Sequence, residues 1–224
     1  MVSEPHPVSN RRVGESKTPV VYVIDDDESI RFVLNGLVRS VGLQVETFES
    51  PKEFLAFPKY DAPSCLILDV RLRGESGLEF QEEAIRCGVR MPILFMTAHG
   101  DIEMTVKAMK AGALDFFPKP FRDQDMLDAI AHALRRDAQR IASEEAMATV
   151  RASYESLTPR EREVLKLVVA GLLNKQIAYE MNLSEITVKI HRGQVMKKMA
   201  SRTLPDLVRK AEALKIDPDR LGNV

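Results

Sequence analysis

What most limits the fold of this chain is a regular alternation of two hydrophobic periods between Pro19 and Asp137. Short runs rich in β-branched and aromatic residues occur as VVYVID (20–25), LQVETF (43–48), CLILDV (65–70), PILFMT (92–97) and ALDFF (113–117). Between them lie stretches with helical spacing at 28–40, 51–57, 77–86 and 101–111. In the first of these, Ile30, Val33, Leu34, Leu37, Val38 and Val41 follow the i, i+3, i+4, i+7 stripe of an amphipathic helix. Five strands alternating with helices predict right-handed βαβ crossovers, a parallel sheet and helices on both faces. In such sheets, function gathers at the carboxyl ends of the strands.

The rest of the chain has one period only. From Arg122 to Thr158 there is neither Pro nor Gly, and Leu127, Ile130, Leu134, Ala138 and Ile141 form an apolar stripe. Asp123 is suited to cap a helix there. Residues 123–138 are expected to be the last helix of the α/β domain, and 139–155 a helical linker. Residues 156–224 contain no strand candidate and predict four helices, at 159–170, 174–182, 184–199 and 204–215. Thr158-Pro159 with Glu161, and then Ser184, are start signals, and Gly171 is a stop signal. The expected organisation is a tail over 1–18, an α/β domain over 19–138, the linker, and an all-α domain over 156–224.

Charge follows the same division. The net charge of −1 is the sum of −6 over residues 1–155 and +5 over 156–224. A basic segment of this kind points to a polyanionic partner. No apolar run reaches the ~18 residues of a membrane span, and residues 1–18 lack the apolar stretch of a secretory signal. Two cysteines in ordinary segments, Cys65 and Cys87, fit a reducing compartment as inert, buried or half-buried thiols. A cytoplasmic location is expected. Neither a nucleotide-binding glycine loop nor a zinc-type Cys/His spacing occurs.

In a parallel sheet, Asp25, Asp26 and Asp27 after the first strand, Asp69 ending the third, Thr97 ending the fourth and Lys119 after the fifth all open on one edge. Crowded carboxylates repel one another unless a cation joins them. Oxygen ligands of this kind suit Mg²⁺, and a carboxylate beside it can act as nucleophile toward a phosphoryl group. Asp27, Glu28 and Asp115 read as turn or cap residues, and His99 as a loop surface residue.

VVYVIDDDES, LILDV, MTAHG and DFFPKPF, in this order and spacing, resemble the receiver domain of two-component response regulators, a flavodoxin-like fold. The resemblance implies that Asp69 accepts a phosphoryl group from a sensor histidine kinase. It implies that Asp26 and Asp69 bind Mg²⁺ directly, Asp25 through water, and that the Arg71 carbonyl completes the protein ligands. Thr97 and Phe116 would form the switch pair, Lys119 would contact the phosphoryl group, and small Ala98 would leave access to Asp69. The Lys119-Pro120 bond would be cis. The chain departs from the family after Asp69, where Leu72-Arg73 replaces the usual Met-Pro. Gly74, Glu75, Ser76 and Gly77 then suggest a flexible loop.

LTPREREVLKLVVAGLLNKQIAYEMNLSEITVKIHRGQVMKKM (157–199) resembles the LuxR/NarL-type helix-turn-helix. The combination of both halves is most similar to the FixJ/NodW/StyR-like branch. The resemblance implies a scaffold helix at 174–182, a recognition helix at 184–199 and pairing of effector domains through 204–215. On the helical wheel Val188, Val195 and Met199 point one way, and Ile186, Lys189, Ile190, Gly193 and Lys197 the other, with Arg192 and Lys198 on the flanks. Lys175, Thr187, Lys189, Ile190, Arg192 and Lys197 are the expected DNA-contacting residues. His191 reads as a core-edge or phosphate-side residue, and Glu161 as surface or structural.

The combined expectation is a phosphorylation-switched transcription factor, by family habit an activator. Its expected partners are a sensor histidine kinase, promoter DNA, a second copy of the chain and RNA polymerase, with no membrane. Its only catalysis would be its own phosphorylation and dephosphorylation. A Mg²⁺-dependent phosphohydrolase and a phosphorylation-independent DNA-binding protein with a vestigial receiver remain as alternatives.

Overall fold

The computed structural model describes residues 18–98 and 102–216. Most of the expected tail, His99, the first residue of the helix expected at 101–111, and residues 217–224 lie outside the described residues. The chain divides into two compact units at Ile141–Ala142.

In the first unit the strands are β1 (Val20–Ile24), β2 (Gln44–Phe48), β3 (Ser64–Asp69), the short β4 (Arg71–Leu72) and β5 (Glu75–Ser76), β6 (Ile93–Thr97) and β7 (Asp115–Pro118). Between them run α1 (Glu28–Ser40), α2 (Pro51–Ala56), α3 (Gly77–Arg86) and α4 (Ile102–Lys110). The main sheet is parallel with order β2-β1-β3-β6-β7. This doubly wound order reverses direction beside β1, and the carboxyl ends of β1, β3, β6 and β7 share one rim.

Both faces of the sheet are buried, and strand alternation assigns the side chains. Tyr22, Ile24, Leu66, Leu68 and Phe95 pack with Phe54, Phe80, Ala84 and Ala108 from α2, α3 and α4. Val21, Val23, Cys65, Ile67, Leu94 and Met96 pack with Leu34 and Val38 of α1 and with Met126, Ile130 and Ala133 of α5 (Asp123–Glu155). Buried Asp137 adds a polar tie. Its Oδ2 accepts from the Ser64 amide at 2.8 Å, and its Oδ1 pairs with Arg140 at 2.9 Å.

Two expectations need correction. Asp123 does not precede its helix but lies in the first turn, because the Arg122 carbonyl already accepts from the Met126 amide at 3.2 Å. Cys87 is exposed, not buried or half-buried, because it caps the end of α3. Cys65 is buried, and burial, with Asp137 adding to it, pushes its thiol far up, out of reach of ordinary thiolate chemistry. The loop after Asp69 contains the antiparallel β4–β5 hairpin, with Arg71 opposite Ser76 and Leu72 opposite Glu75.

The second unit contains α6 (Pro159–Val169), α7 (Asn174–Glu180), α8 (Glu185–Lys198) and α9 (Leu204–Ala213). Val164, Leu165, Val168, Ile177, Val188, Val195, Met199 and Leu207 form its core. The cap of α6 is built as a box. The Thr158 hydroxyl accepts from the Glu161 amide, and the Glu161 carboxylate accepts from the Thr158 amide at 2.8 Å. Ser184 caps α8 through the Thr187 amide at 3.1 Å. Gly171 takes φ +87° just beyond α6, where a residue with Cβ would be strained.

Glu161 also joins α6 to α8, since its Oε2 accepts from Lys198 Nζ at 2.7 Å. That bond and the Thr158 amide hold the Glu161 carboxyl below its ordinary value of 4.5. A carboxyl depressed in the folded state contributes stability that is full above the unfolded value. That contribution is lost as the pH falls through the folded value. Glu161→Gln is therefore expected to lower the stability of the second unit at pH 7 by about 1–3 kcal/mol, the scale of a charge-assisted hydrogen bond. It should also reduce the loss of hydrogen-exchange protection in α6 and α8 on acidification below about pH 4.5. Equal acid sensitivity in the two proteins would contradict the assignment.

Candidate functional site

Three strand ends create the first site. The chain leaves β1 at Ile24, so Asp25 and Asp26 project at the rim, and Asp27 then caps α1 by accepting from the Ser29 amide at 2.8 Å. Asp69 is the last residue of β3, and Lys119 follows β7. The Lys119-Pro120 bond is cis. The Lys119 amide donates to the Thr97 carbonyl at 2.7 Å, which ties the chain beyond β7 to the end of β6.

The Lys119 ammonium lies 2.6 Å from Asp25 Oδ2 and 2.8 Å from Asp69 Oδ2. Asp25 is fully buried, and its other oxygen accepts from the Asp27 amide at 3.0 Å. Asp69 Oδ1 accepts from the Arg71 amide at 3.1 Å. Burial pushes the Asp25 carboxyl up, against the pull of Lys119. For Lys119, burial works to lower the ammonium, but the hydrogen bonds of the two carboxylates outweigh it and hold it above its ordinary value of 10.5. One short-range contact thus opposes the effect of burial on both partners.

Asp25, Asp26 and Asp69 each offer an oxygen within 4.8 Å of the others. Three hard, anionic oxygens at this separation fit a Mg²⁺ ion, which bonds a few carboxylates and keeps several waters. Asp25 has both oxygens engaged by the protein, whereas Asp26 is more accessible. Thr97 is buried at the end of β6, and Ala98 beside it is exposed. Phe116 is half-buried against Phe95, with ring centroids 6.5 Å apart.

Three contacts had not been anticipated. Arg31 donates to the Asp25 carbonyl at 2.6 Å. Arg73 Nε lies 3.0 Å from Asp26 Oδ2. Gly77 lies so close to β3 that a Cβ there would stand 2.2 Å from the Asp69 carbonyl oxygen. Glycine is required there by the close approach of two backbones. The sequence marks this position only by the glycine of the Ser76-Gly77 pair.

The second site is the outer face of α8. Val188 and Val195 point into the core, and Met199 follows at the helix end. Lys189, Gly193 and Lys197 are exposed, and so are Ile186 at 75% and Ile190 at 60%. Lys175 on α7 is exposed too. Thr187 is half-buried, its hydroxyl 2.8 Å from that of Ser184. Arg192 Nη1 donates to Asn174 Oδ1 at 2.9 Å, which joins α8 to α7. Lys198, expected on the flank of the outer face, is turned to Glu161 and the Ser156 carbonyl. His191 is half-buried. Two large aliphatic side chains in water beside lysines are a costly surface for a helix with no partner.

Residues 21–131 match the response regulator receiver domain family, and residues 155–211 match the bacterial regulatory proteins of the luxR family. Nodulation protein W of Bradyrhizobium diazoefficiens is 52% identical over 201 residues, 90% of this chain and 88% of that protein. Response regulator protein TmoT of Ectopseudomonas mendocina is 49% identical over 88% of this chain and 89% of that protein. The solved structure of response regulator StyR is 47% identical, with a TM-score of 0.80 over 87% of this chain and 98% of that one. Full-length FixJ from B. japonicum is 38% identical, with a TM-score of 0.53 over 91% and 100%. Family matches along both halves, and relatives of near-equal length, therefore assign this chain to the two-component response regulators that join a receiver domain to a LuxR-type DNA-binding domain and regulate transcription.

Proposed function

We propose that Asp69 is the phosphoryl acceptor and that its modification controls DNA binding by the second unit. The observation that carries this is the Lys119 ammonium bonded at once to Asp25 and Asp69, with Asp26 completing a cluster of oxygens within 4.8 Å. The domain limits remain 19–138, 139–155 and 156–224, and the working compartment the cytoplasm. Among the described residues no helix is long and apolar enough to cross a membrane.

In this reading an oxygen of Asp69 attacks phosphorus in line, and the bond to the imidazole nitrogen of a sensor histidine kinase breaks. Lys119 then moves its charge toward the transferred group. Mg²⁺, held by Asp26, Asp69 and the Arg71 carbonyl with Asp25 acting through water, would neutralise charge on the phosphoryl oxygens. The acyl phosphate carries about −1.5 to −2 charge, against −1 for the carboxylate. Thr97 turns to donate to it past small Ala98, and Phe116 follows into the vacated space. The surface built from α4, β7 and the first half of α5 then changes and pairs two copies. Hydrolysis of the acyl phosphate at the same site resets the switch.

Paired copies place two α8 helices on half-sites about 10 bp apart. Lys175, Lys189 and Lys197 meet phosphates or guanine edges, and Ile190 a thymine methyl. Thr187 lies near the backbone at the start of α8, and Arg192 orients from the Asn174 side. Contact with RNA polymerase would make the bound dimer an activator.

Acetyl phosphate with Mg²⁺ is expected to give one base-labile phosphoryl adduct on the wild type and none on Asp69→Asn, as read by intact mass. Equal incorporation by both proteins would remove Asp69 from the role. Lys189→Ala and Lys197→Ala are expected to weaken promoter binding and to lower the slope of log K against log salt by about 1 each. Unchanged affinity and slope in both would place the interface elsewhere.

A further inference from the structure

The β4–β5 hairpin stands where the family usually has a Met-Pro pair, and its geometry is specific. Arg71 pairs with Ser76 and Leu72 with Glu75, so Arg73-Gly74 form a two-residue turn, with Gly74 at φ +86°. Turns of this length need positive φ, which glycine supplies without strain. The hairpin is held at both ends. Leu72 is buried in the core on one side, and the Gly77 amide donates to the Val70 carbonyl at 2.9 Å on the other. The close packing of Gly77 on the Asp69 carbonyl leaves little room to shift.

From this turn the Arg73 guanidinium reaches across the rim to Asp26, Nε to Oδ2 at 3.0 Å. The charges divide in a definite way. Lys119 is bonded to Asp25 and Asp69, and Arg73 is paired with the third carboxylate, Asp26. Arg31 stands at the same rim but bonds the Asp25 backbone carbonyl, so among these contacts Arg73 is the cation paired with the Asp26 carboxylate. A divalent ion bonded to Asp26 would compete with Arg73 for the same single carboxylate charge.

We infer that Arg73 is a resident counter-cation of the acidic rim, holding Asp26 while no divalent ion is bound and giving it up when one enters. Arg73 thereby sets the Mg²⁺ concentration at which the receiver becomes competent for phosphorylation. This rests on the reading of Asp26 as a metal ligand. The Arg73 side chain is 79% exposed and that of Asp26 21%, so the pair is in contact with water. Exposed ion pairs are weak, and their competition is worth about a two- to five-fold change in apparent metal affinity. The guanidinium can swing into solvent at little cost, which a fixed buried cation could not do.

The test is calorimetric titration of Mg²⁺ into the full chain for wild type, Arg73→Gln, Asp26→Asn and a distant control, Arg86→Gln, at the exposed end of α3. Arg73→Gln is expected to bind Mg²⁺ about two- to five-fold more tightly than wild type, and Arg86→Gln like wild type. The difference for Arg73→Gln should shrink as ionic strength rises. Phosphorylation by acetyl phosphate should be faster in Arg73→Gln at limiting Mg²⁺ and equal to wild type at saturation. Thermal unfolding of the metal-free proteins, measured alongside, should show the variant folded. Equal or weaker Mg²⁺ binding by folded Arg73→Gln overturns the inference, as does an equal gain in Arg86→Gln, which would make the effect one of net charge. Loss of binding in Asp26→Asn beside an unchanged Arg73→Gln sinks this inference alone. Absence of Mg²⁺ binding in every protein sinks the metal-site reading with it.

Discussion

One ammonium group shared by two carboxylates organises this receiver. Lys119 Nζ lies within 2.8 Å of oxygens from both Asp25 and Asp69, residues 94 and 50 positions away in the chain. Without it, three acidic side chains at one rim would repel one another, and nothing from Lys119 would oppose the burial that pushes the Asp25 carboxyl up. The contact closes only if β1, β3 and β7 run parallel with their carboxyl ends level. The sheet order β2-β1-β3-β6-β7 achieves this, with the Lys119 amide bonded to the Thr97 carbonyl as the last tie. Fold and site are therefore the same problem. The apolar layers on the two faces hold the strands in register, and the register brings the charges together.

The same economy governs the second unit, where charge is used to join helices as well as to face a partner. Lys198 leaves the outer surface of α8 to bond Glu161, and Arg192 bonds Asn174. What remains outward is Lys189, Gly193 and Lys197 beside exposed Ile186 and Ile190. A helix with aliphatic groups on its solvent side and a valine pair on its inner side has little contrast between faces. Its stability comes from packing of Val188 and Val195 and from the Ser184 cap more than from amphipathic pattern.

Much of this was legible in the sequence, for identifiable reasons. Strands buried on both faces are nearly continuous apolar runs, so β1, β3 and β6 could be placed within one or two residues. Acids at strand ends could be brought together because a parallel sheet leaves little choice of edge. Caps at Thr158 and Ser184 were visible because their chemistry is local. The errors arose where tertiary contacts decide. Arg71 to Ser76 has too few residues and too much glycine and charge to show a strand pattern, yet it pairs as a hairpin anchored by Leu72. Gly74 serves a turn and Gly77 a close backbone approach, roles that composition alone does not distinguish. Lys198 has the wheel position of a flanking cation, and only the placement of α6 shows that it turns inward. Asp123 lost its capping place to Arg122 by one residue, a shift the pattern of apolar residues does not resolve.

The central claim is that chain-distant carboxylates and a lysine meet around a single divalent ion. It is tested most directly by a crystal of the full chain grown with Mn²⁺ in place of Mg²⁺, located by its anomalous scattering. One ion is expected, bonded to Asp26, Asp69 and the Arg71 carbonyl at oxygen distances of about 2.0–2.3 Å, with Lys119 still on the Asp69 side. An ion bound elsewhere, or Asp69 turned away from a metal held by other residues, would contradict it.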